Sequence, residues 1–467
     1  MLKELRHLLD ENKAVLLIIL AFVFVATFSA RGSTWDPAVY VGMGKHIYSS
    51  GQVGLWEPAR PIMLPLILGL FWKAGLNPFA TGAFFSLLLA AAAIFFVYMT
   101  IKGLCSNSKA AAIAFSLLFA ANFALVTYSN SILTDIPAMF FSLAAVYLAI
   151  KNRFFPAGLL VGVAVLTKFT SLFLLPAILA GIFLNKERLA AAKQFILGLA
   201  VVAIPYLVAN TIIYKDPLYP LAAGQRLIQS VVGNYTCPAS ALFYVKLAAA
   251  EVPLLLISIV ALFIAAKERN WKLTMVSLAA VVPLAYHSFF LHCKDVRYAF
   301  AFLPYFYALA AYAFHKALGQ RRKLAKYSMV ALVAAQLVLS TGILGYHIMN
   351  KEPQWKLNPE FYKFLETHNV AGKVWASTPE VMGSANVRID ELVYYPVFDD
   401  SKMDELNARL NEKIQYILIN TCDIPCVNYD ADCPERRQEF LNQLPKRFGT
   451  AFNATEGNCE LTIYEGK

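Results

Sequence analysis

Long apolar runs broken by short polar turns fill the first three quarters of the chain, and then the pattern changes. A helix needs about 20 apolar residues to cross a bilayer. Runs near that length recur at residues 14–30, 79–101, 110–126, 136–150, 195–213, 245–266, 273–291, 298–314 and 327–346. Residues 157–184 are too many for one helix and carry Thr167-Lys168 near the middle, which predicts two short spans turning at Lys168. Residues 61–74 open with Pro61, contain Pro65 and end at Lys73-Ala74-Gly75. This short run is expected to lie in the outer interface, or to re-enter it, rather than to cross. Residues 14–30 lack a small-residue cleavage site followed by a polar chain, and are expected as a retained first span.

Beyond residue 350 the periodicity shortens. Strand-like runs at 373–377, 392–398, 416–420 and 461–464 alternate with helical patterns at 359–368, 400–413 and 434–444. That alternation predicts a small α/β domain over residues 351–467, after a helical membrane domain over 1–350 whose outer loop, 32–78, holds interfacial helices.

Composition agrees with a membrane protein. The chain of 467 residues is 58% hydrophobic and 15% charged, with a mean hydropathy of +0.54; soluble domains average about a quarter charged. The net charge of +11 would suggest a nucleic-acid partner in a soluble protein. Here the basic residues crowd alternate short loops, so no nucleic acid is expected. If residues 61–74 do not cross, one side collects roughly eighteen Lys and Arg in short loops against about ten opposite, the bias of cytoplasmic loops. The prediction is a polytopic α-helical protein of the plasma membrane with about eleven spans, a cytoplasmic N-terminus and an exoplasmic C-terminal domain. Cys422, Cys426, Cys433 and Cys459 all fall in that domain, in a compartment that permits disulfides. Two disulfides, a zinc site on the Cys422-x3-Cys426 spacing and free thiols are all compatible with the sequence. Asn234-Tyr-Thr and Asn453-Ala-Thr match a glycosylation sequon on the same side.

Almost no ionisable residue falls at mid-depth in a predicted span, where a proton relay or coupling-ion site would need one. The charges gather in the outer loops instead: Asp36, Lys45, His46, Glu57 and Arg60 in the first, Asp135 in the second, Lys168 in the paired-span turn, and His292, Lys294, Asp295, Arg297 and Tyr298 in a later one. Asp36 before Pro37, and Asp135 before Pro137, each suit a helix start, so both could be caps alone. Asp36 also shares a helical face with Tyr40 and Gly44, and a carboxylate at the membrane surface can act as a general base. A second acid, Asp135, could orient that base, bind a metal or grip an acceptor. Arg60, Lys168 and Arg297 lie beside apolar walls, where a phosphate would satisfy them; snorkelling to the interface is the plainer alternative. Tyr298 could be an interfacial belt residue. Asp36, Glu57, Asp135, His46 and His292 could between them hold one divalent ion, although no spacing demands it. No Gly-rich phosphate loop is present.

The segments "WDPAVY…EPARP", "LTDIPAMFF", "GLLVGVAVLTK" and "RYAFAFLP", in that order, resemble the GT-C glycosyltransferases over roughly residues 10–320. The branch they resemble is that of the protein O-mannosyltransferases and the lipid A aminoarabinose transferases. The resemblance implies a sugar donor on a polyprenyl phosphate in the outer leaflet and transfer with inversion. It implies Asp36 as catalytic base, Asp135 shaping the acceptor site, and Arg60, Lys168 and Arg297 holding the phosphate. Glu57 falls where relatives place an acid before a basic-proline segment, and Tyr40, Tyr298 and His292 would support the acceptor. Protein mannosyltransferases carry Asp-Glu in the first loop where this chain has Asp36-Pro37, so protein, lipid and glycan acceptors all stay open. The C-terminal α/β domain is similar to the soluble tail of prokaryotic relatives rather than to a β-trefoil insert. Two other classes would leave different marks on the sequence. A lipid or oligosaccharide transporter would show inverted repeats and mid-membrane charges. A non-catalytic scaffold would leave Asp36, Asp135 and Arg297 without a common purpose.

Overall fold

The structure is a computed structural model. It describes residues 12–29, 35–106, 108–231, 240–268, 270–291, 293–318, 323–349, 358–368, 370, 372–393, 402–424, 426 and 431–466. Contacts divide the chain into two compact units. The first comprises Met1–Arg31, Ala83–Pro217 and Pro238–Pro353; the second comprises Gly32–Gly82, Leu218–Cys237 and Gln354–Lys467.

Among the described residues the first unit contains helices and turns but no strand. Four helices among the described residues are long and apolar enough to cross a membrane, Pro78–Leu104, Arg188–Tyr214, Trp271–Phe290 and Val330–Met349. A fifth crossing results if Phe243–Ala249 and Pro253–Glu268, bent by 112° at their break, form one span. Pro253 brings no N–H to the bend, which is why the single run expected at 245–266 breaks there. Other expected spans are helices below full crossing length, among them Lys13–Ser29, Lys109–Ala120, Asp135–Ile150 and Phe154–Thr167. The paired spans around Lys168 take the form of helices Phe154–Thr167 and Leu175–Phe183 with a 3-10 turn, Phe169–Leu174, between them. Lys168 itself is extended, φ −152° and ψ 117°.

Several helices of this unit present apolar side chains outward, including Leu17 and Phe24 on Lys13–Ser29, Leu197, Val201 and Ile204 on Arg188–Tyr214 and Val338 on Lys323–Met349. Such faces belong in lipid rather than water. Where helices meet, glycine sets the distance. A Cβ on Gly158 would lie 2.1 Å from the Phe195 carbonyl oxygen, and one on Gly198 2.0 Å from that of Phe155. The Phe154–Thr167 and Arg188–Tyr214 backbones therefore touch, as small residues allow in membranes.

The second unit is built on a five-stranded sheet in the order β2-β1-β3-β5-β4. β1 (Val374–Ala376) pairs in parallel with β2 (Ile389–Leu392) and β3 (Tyr416–Asn420). The hairpin of β4 (Phe448–Glu456) and β5 (Cys459–Gly466) adds antiparallel. Helices Pro359–Thr367, Lys402–Arg409 and Cys433–Arg447 accompany it. Sequence periodicity points to strands near β1, β3 and β5 and misses β4; of the second expected strand, residues 394–398 lie outside the described residues. β4 is an edge strand of half-buried and exposed side chains with a single buried residue, and so carries only a weak apolar signal. Cys422 pairs with Cys459 and Cys426 with Cys433.

The outer segment belongs to this unit. Helix Trp35–Tyr48 crosses helix Met63–Lys73 where Gly44 faces Gly69; a Cβ on Gly44 would lie 2.6 Å from the Gly69 nitrogen. Gly54 exchanges backbone hydrogen bonds with Val387 and Ile389 at 2.8 Å each, extending the ladder beside β2.

Candidate functional site

The sequence-selected residues form two polar clusters, one in each unit. In the second unit Asp36 occupies the first turn of helix Trp35–Tyr48. The helix starts at Trp35, one residue before Asp36, so Asp36 lies inside it rather than in the capping position. Its carboxylate accepts from Arg60 Nη1 at 2.6 Å. The same Nη1 approaches the Tyr40 hydroxyl at 3.4 Å, and the guanidinium stands 5.4 Å from the Tyr40 ring centroid. Arg60 Nε donates to Glu57 Oε2 at 3.3 Å. Glu57 is 2% exposed, Arg60 17% and Asp36 21%. One guanidinium thus holds two carboxylates and a tyrosine that lies one helical turn from Asp36.

The same helix is anchored further along. The buried Lys45 ammonium donates to the carbonyl oxygens of Met382 at 2.8 Å and Ala385 at 3.0 Å. Burial pulls the pKa of Lys45 down to about 8, partly offset by the field of Glu366. His46 stacks on Trp56 with ring centroids 5.5 Å apart; burial and, after it, Arg388 lower its pKa.

In the first unit Asp135 opens helix Asp135–Ile150, preceded by Thr134, whose side chain makes no capping hydrogen bond. Asp135 accepts a hydrogen bond from Lys168 Nζ. That ammonium lies 4.5 Å from the Tyr298 ring centroid, and Arg297 lies 5.5 Å from the same ring. Arg297 Nε pairs with Asp295 at 3.2 Å, while Asp295 caps the 3-10 turn Val296–Ala301 through the Arg297 N–H. Lys294, almost fully buried, donates to the Leu291 carbonyl at 2.6 Å. Tyr244 donates its hydroxyl to the Asp295 carbonyl at 3.2 Å.

Beside this cluster lies an apolar cavity of about 220 Å³, walled by Leu255, Ile259, Leu284, Phe302 and Phe306 and bordered by Tyr244 and Val296. A smaller recess opens against Asp135 and Lys168 themselves, between Met139, Ser171, Pro283 and Phe300. Cations, an aromatic platform and an oily cavity thus adjoin one another.

The fold brings Asp36, Tyr40, Glu57 and Arg60 together in one unit, and Asp135, Lys168, Arg297 and Tyr298 together in the other. His292 lies outside the described residues, as does Asn234. Each cation expected to meet a phosphate stands against a carboxylate. Among the described residues no three His, Cys, Asp or Glu side chains are grouped to hold a metal ion. Sequence reasoning gave no role to Tyr244, Lys294 or His287. Tyr244 passes for a belt residue at the edge of an apolar run. His287, inside the predicted span 273–291, carried the one usable signal, an ionisable group at membrane depth.

Residues 59–213 match the family described as dolichyl-phosphate-mannose-protein mannosyltransferase. No curated protein matches the chain. Among solved structures it is similar to the oligosaccharyltransferase of Archaeoglobus fulgidus, crystallised with a tethered acceptor peptide containing the NVT sequon. That match has 12% identity and a TM-score of 0.63, covering 98% of this chain and 74% of the other. It is similar to ArnT from Cupriavidus metallidurans in the apo state, at 12% identity and a TM-score of 0.62, over 97% of this chain and 98% of that one. The arabinofuranosyltransferase AftD from Mycobacteria matches at 11% identity and a TM-score of 0.51, over 97% of this chain and 41% of its own. At such identities the likeness is one of fold.

Proposed function

We propose that the chain, whose fold is that of the GT-C membrane glycosyltransferases, moves a sugar from a polyprenyl-phosphate donor to an acceptor hydroxyl. Transfer takes place with inversion on the exoplasmic side of the plasma membrane, with the N-terminus in the cytoplasm. The acceptor oxygen attacks the anomeric carbon, and the bond to phosphate breaks with its electron pair staying on the phosphate. The acceptor's proton passes to the Asp36 carboxylate.

Lys168 and Arg297 hold the phosphate, with Tyr298 between them as a platform for both cations. Negative charge grows on the departing phosphate oxygen, where fixed cations stabilise it more in the transition state than before it. Arg60, held by Asp36 and Glu57, orients the base first; a phosphate oxygen would have to compete with two carboxylates for it. Asp135 positions Lys168 and shapes the acceptor side.

The observation that carries the reading is the adjacency, inside the first unit, of a cationic cluster and an apolar cavity sharing Tyr244 and Val296. That juxtaposition suits an amphiphile with an anionic head and an isoprenoid tail.

The test is transfer from a labelled polyprenyl-phosphate sugar in membranes containing the protein, with mass spectrometry of the product. Asp36→Asn is expected to abolish transfer at unchanged expression; an unaltered rate removes Asp36 as base.

A further inference from the structure

His287 is a fully buried polar side chain that the mechanism above does not use. It lies just past helix Trp271–Ala285, in a π-turn, Tyr286–Phe290, a local form that recurs at functional sites. Its Nδ1 is 2.7 Å from the Pro283 carbonyl oxygen. A carbonyl can only accept, so Nδ1 carries the proton, and in the neutral ring Nε2 is left as a bare lone pair. Nε2 is buried and, among the described residues, has no hydrogen-bond partner. Native folds seldom leave a buried acceptor in that condition without a use.

The surroundings say what kind of group would meet it. Tyr298 lies 5.9 Å away between ring centroids, Phe302 6.1 Å and Tyr244 6.5 Å. Tyr298 is the ring beneath the Lys168 ammonium, and Tyr244 borders the apolar cavity. His287 therefore packs against the aromatic rings that border the cationic cluster and the apolar cavity. An ionised phosphodiester offers only acceptor oxygens and cannot satisfy a lone pair, whereas a sugar hydroxyl donates. Lys168 is already bonded to Asp135.

We propose that Nε2 of His287 accepts a hydrogen bond from a hydroxyl of the donor's sugar, making His287 a specificity-determining residue. The inference rests on the polyprenyl-phosphate-sugar reading above. The test measures binding of dolichyl-phosphate mannose and of bare dolichyl phosphate to the purified full chain. Wild type is compared with His287→Phe, which fills the space without an acceptor, and His287→Gln, which restores one. The expected result is a loss of about tenfold in affinity for the mannosyl lipid in His287→Phe, with bare dolichyl phosphate unaffected and His287→Gln within about threefold of wild type. Equal weakening of both lipids, no weakening of either, or a Gln variant as impaired as Phe overturns the assignment while leaving the donor reading intact. If wild type binds neither lipid, the donor reading fails and this inference falls with it.

Discussion

Lys45 offers the sharpest quantitative test of how the helix carrying Asp36 is held. The ammonium is 4% exposed and satisfied by two backbone carbonyls, those of Met382 and Ala385. Burial lowers its pKa from the ordinary 10.5 to about 8. At about 1.4 kcal/mol per pH unit, keeping it charged in the fold costs about 3 kcal/mol relative to the neutral amine. The sign follows from linkage. A cation with a folded pKa below its unfolded one binds its proton less tightly when folded. Its penalty is full below pH 8, where both states are charged, and vanishes above 10.5, where both are neutral. Stability contributed by this residue therefore rises with pH between those limits. Lys45→Met keeps the length and deletes the titration, so any advantage of the variant over wild type should shrink by about 3 kcal/mol from pH 7.5 to 10.5. The carbonyl bonds lost in the variant cancel in this difference, being lost at every pH. Thermal unfolding of both proteins in detergent reads it, as a change of about 6–12 °C in the gap between midpoints for a unit of 150–250 residues. Parallel curves across that range would refute a buried, charged Lys45.

Two further outcomes follow from the same unit. Arg60→Ala strands the carboxylates of Asp36 and Glu57 beside one another, one of them buried. Transfer is expected to fall at least 100-fold, and the unfolding midpoint with it, because breaking a buried pair costs up to about 3–5 kcal/mol and the part exposure of Asp36 trims that figure. Retained activity in the transfer assay would dissociate Arg60 from the base. Gly44→Val forces apart two helices whose backbones approach to 2.6 Å of the new Cβ; a destabilisation of about 1–3 kcal/mol is expected, and a midpoint equal to wild type would contradict the packing.

Much of this was legible because membrane and strand periodicities are local. The run at 157–184 betrayed its break through Lys168, since a charge at the middle of a single lipid-embedded helix is costly, and the helix does stop at Thr167. Asp36 and Tyr40 could be placed on one face by counting four residues. What could not be counted was which unit a segment packs against. Residues 32–78 read as an outer loop of the membrane region, yet Gly54 joins the ladder beside β2 and Lys45 reaches carbonyls more than 330 positions away. Those contacts depend on backbone atoms, which every residue type shares, so composition leaves no trace of them. β4 was invisible for another reason: an edge strand whose side chains are half-buried or exposed, with one buried at its start, needs little apolar alternation.

The pairing of every candidate phosphate ligand with an acid has a physical logic that bears on selectivity. A cation against an apolar wall is expensive alone, so a chain that keeps Lys168 and Arg297 there without ligand must supply counter-charges, and Asp135 and Asp295 do so. A ligand then exchanges with a carboxylate rather than filling a vacancy. A polyprenyl-phosphate sugar is a phosphodiester bearing one negative charge, and so replaces one carboxylate in kind at Lys168. Asp135, released, still opens a helix, where the N-terminal dipole favours its charge and reduces the cost of losing the ammonium. A free phosphate monoester or a pyrophosphate brings more charge than one such exchange can absorb, and would have to open the Arg297–Asp295 pair as well. On the proposed reading, discrimination for a singly charged head thus begins in the ion pairs at Lys168 and Arg297, before any contact with the sugar.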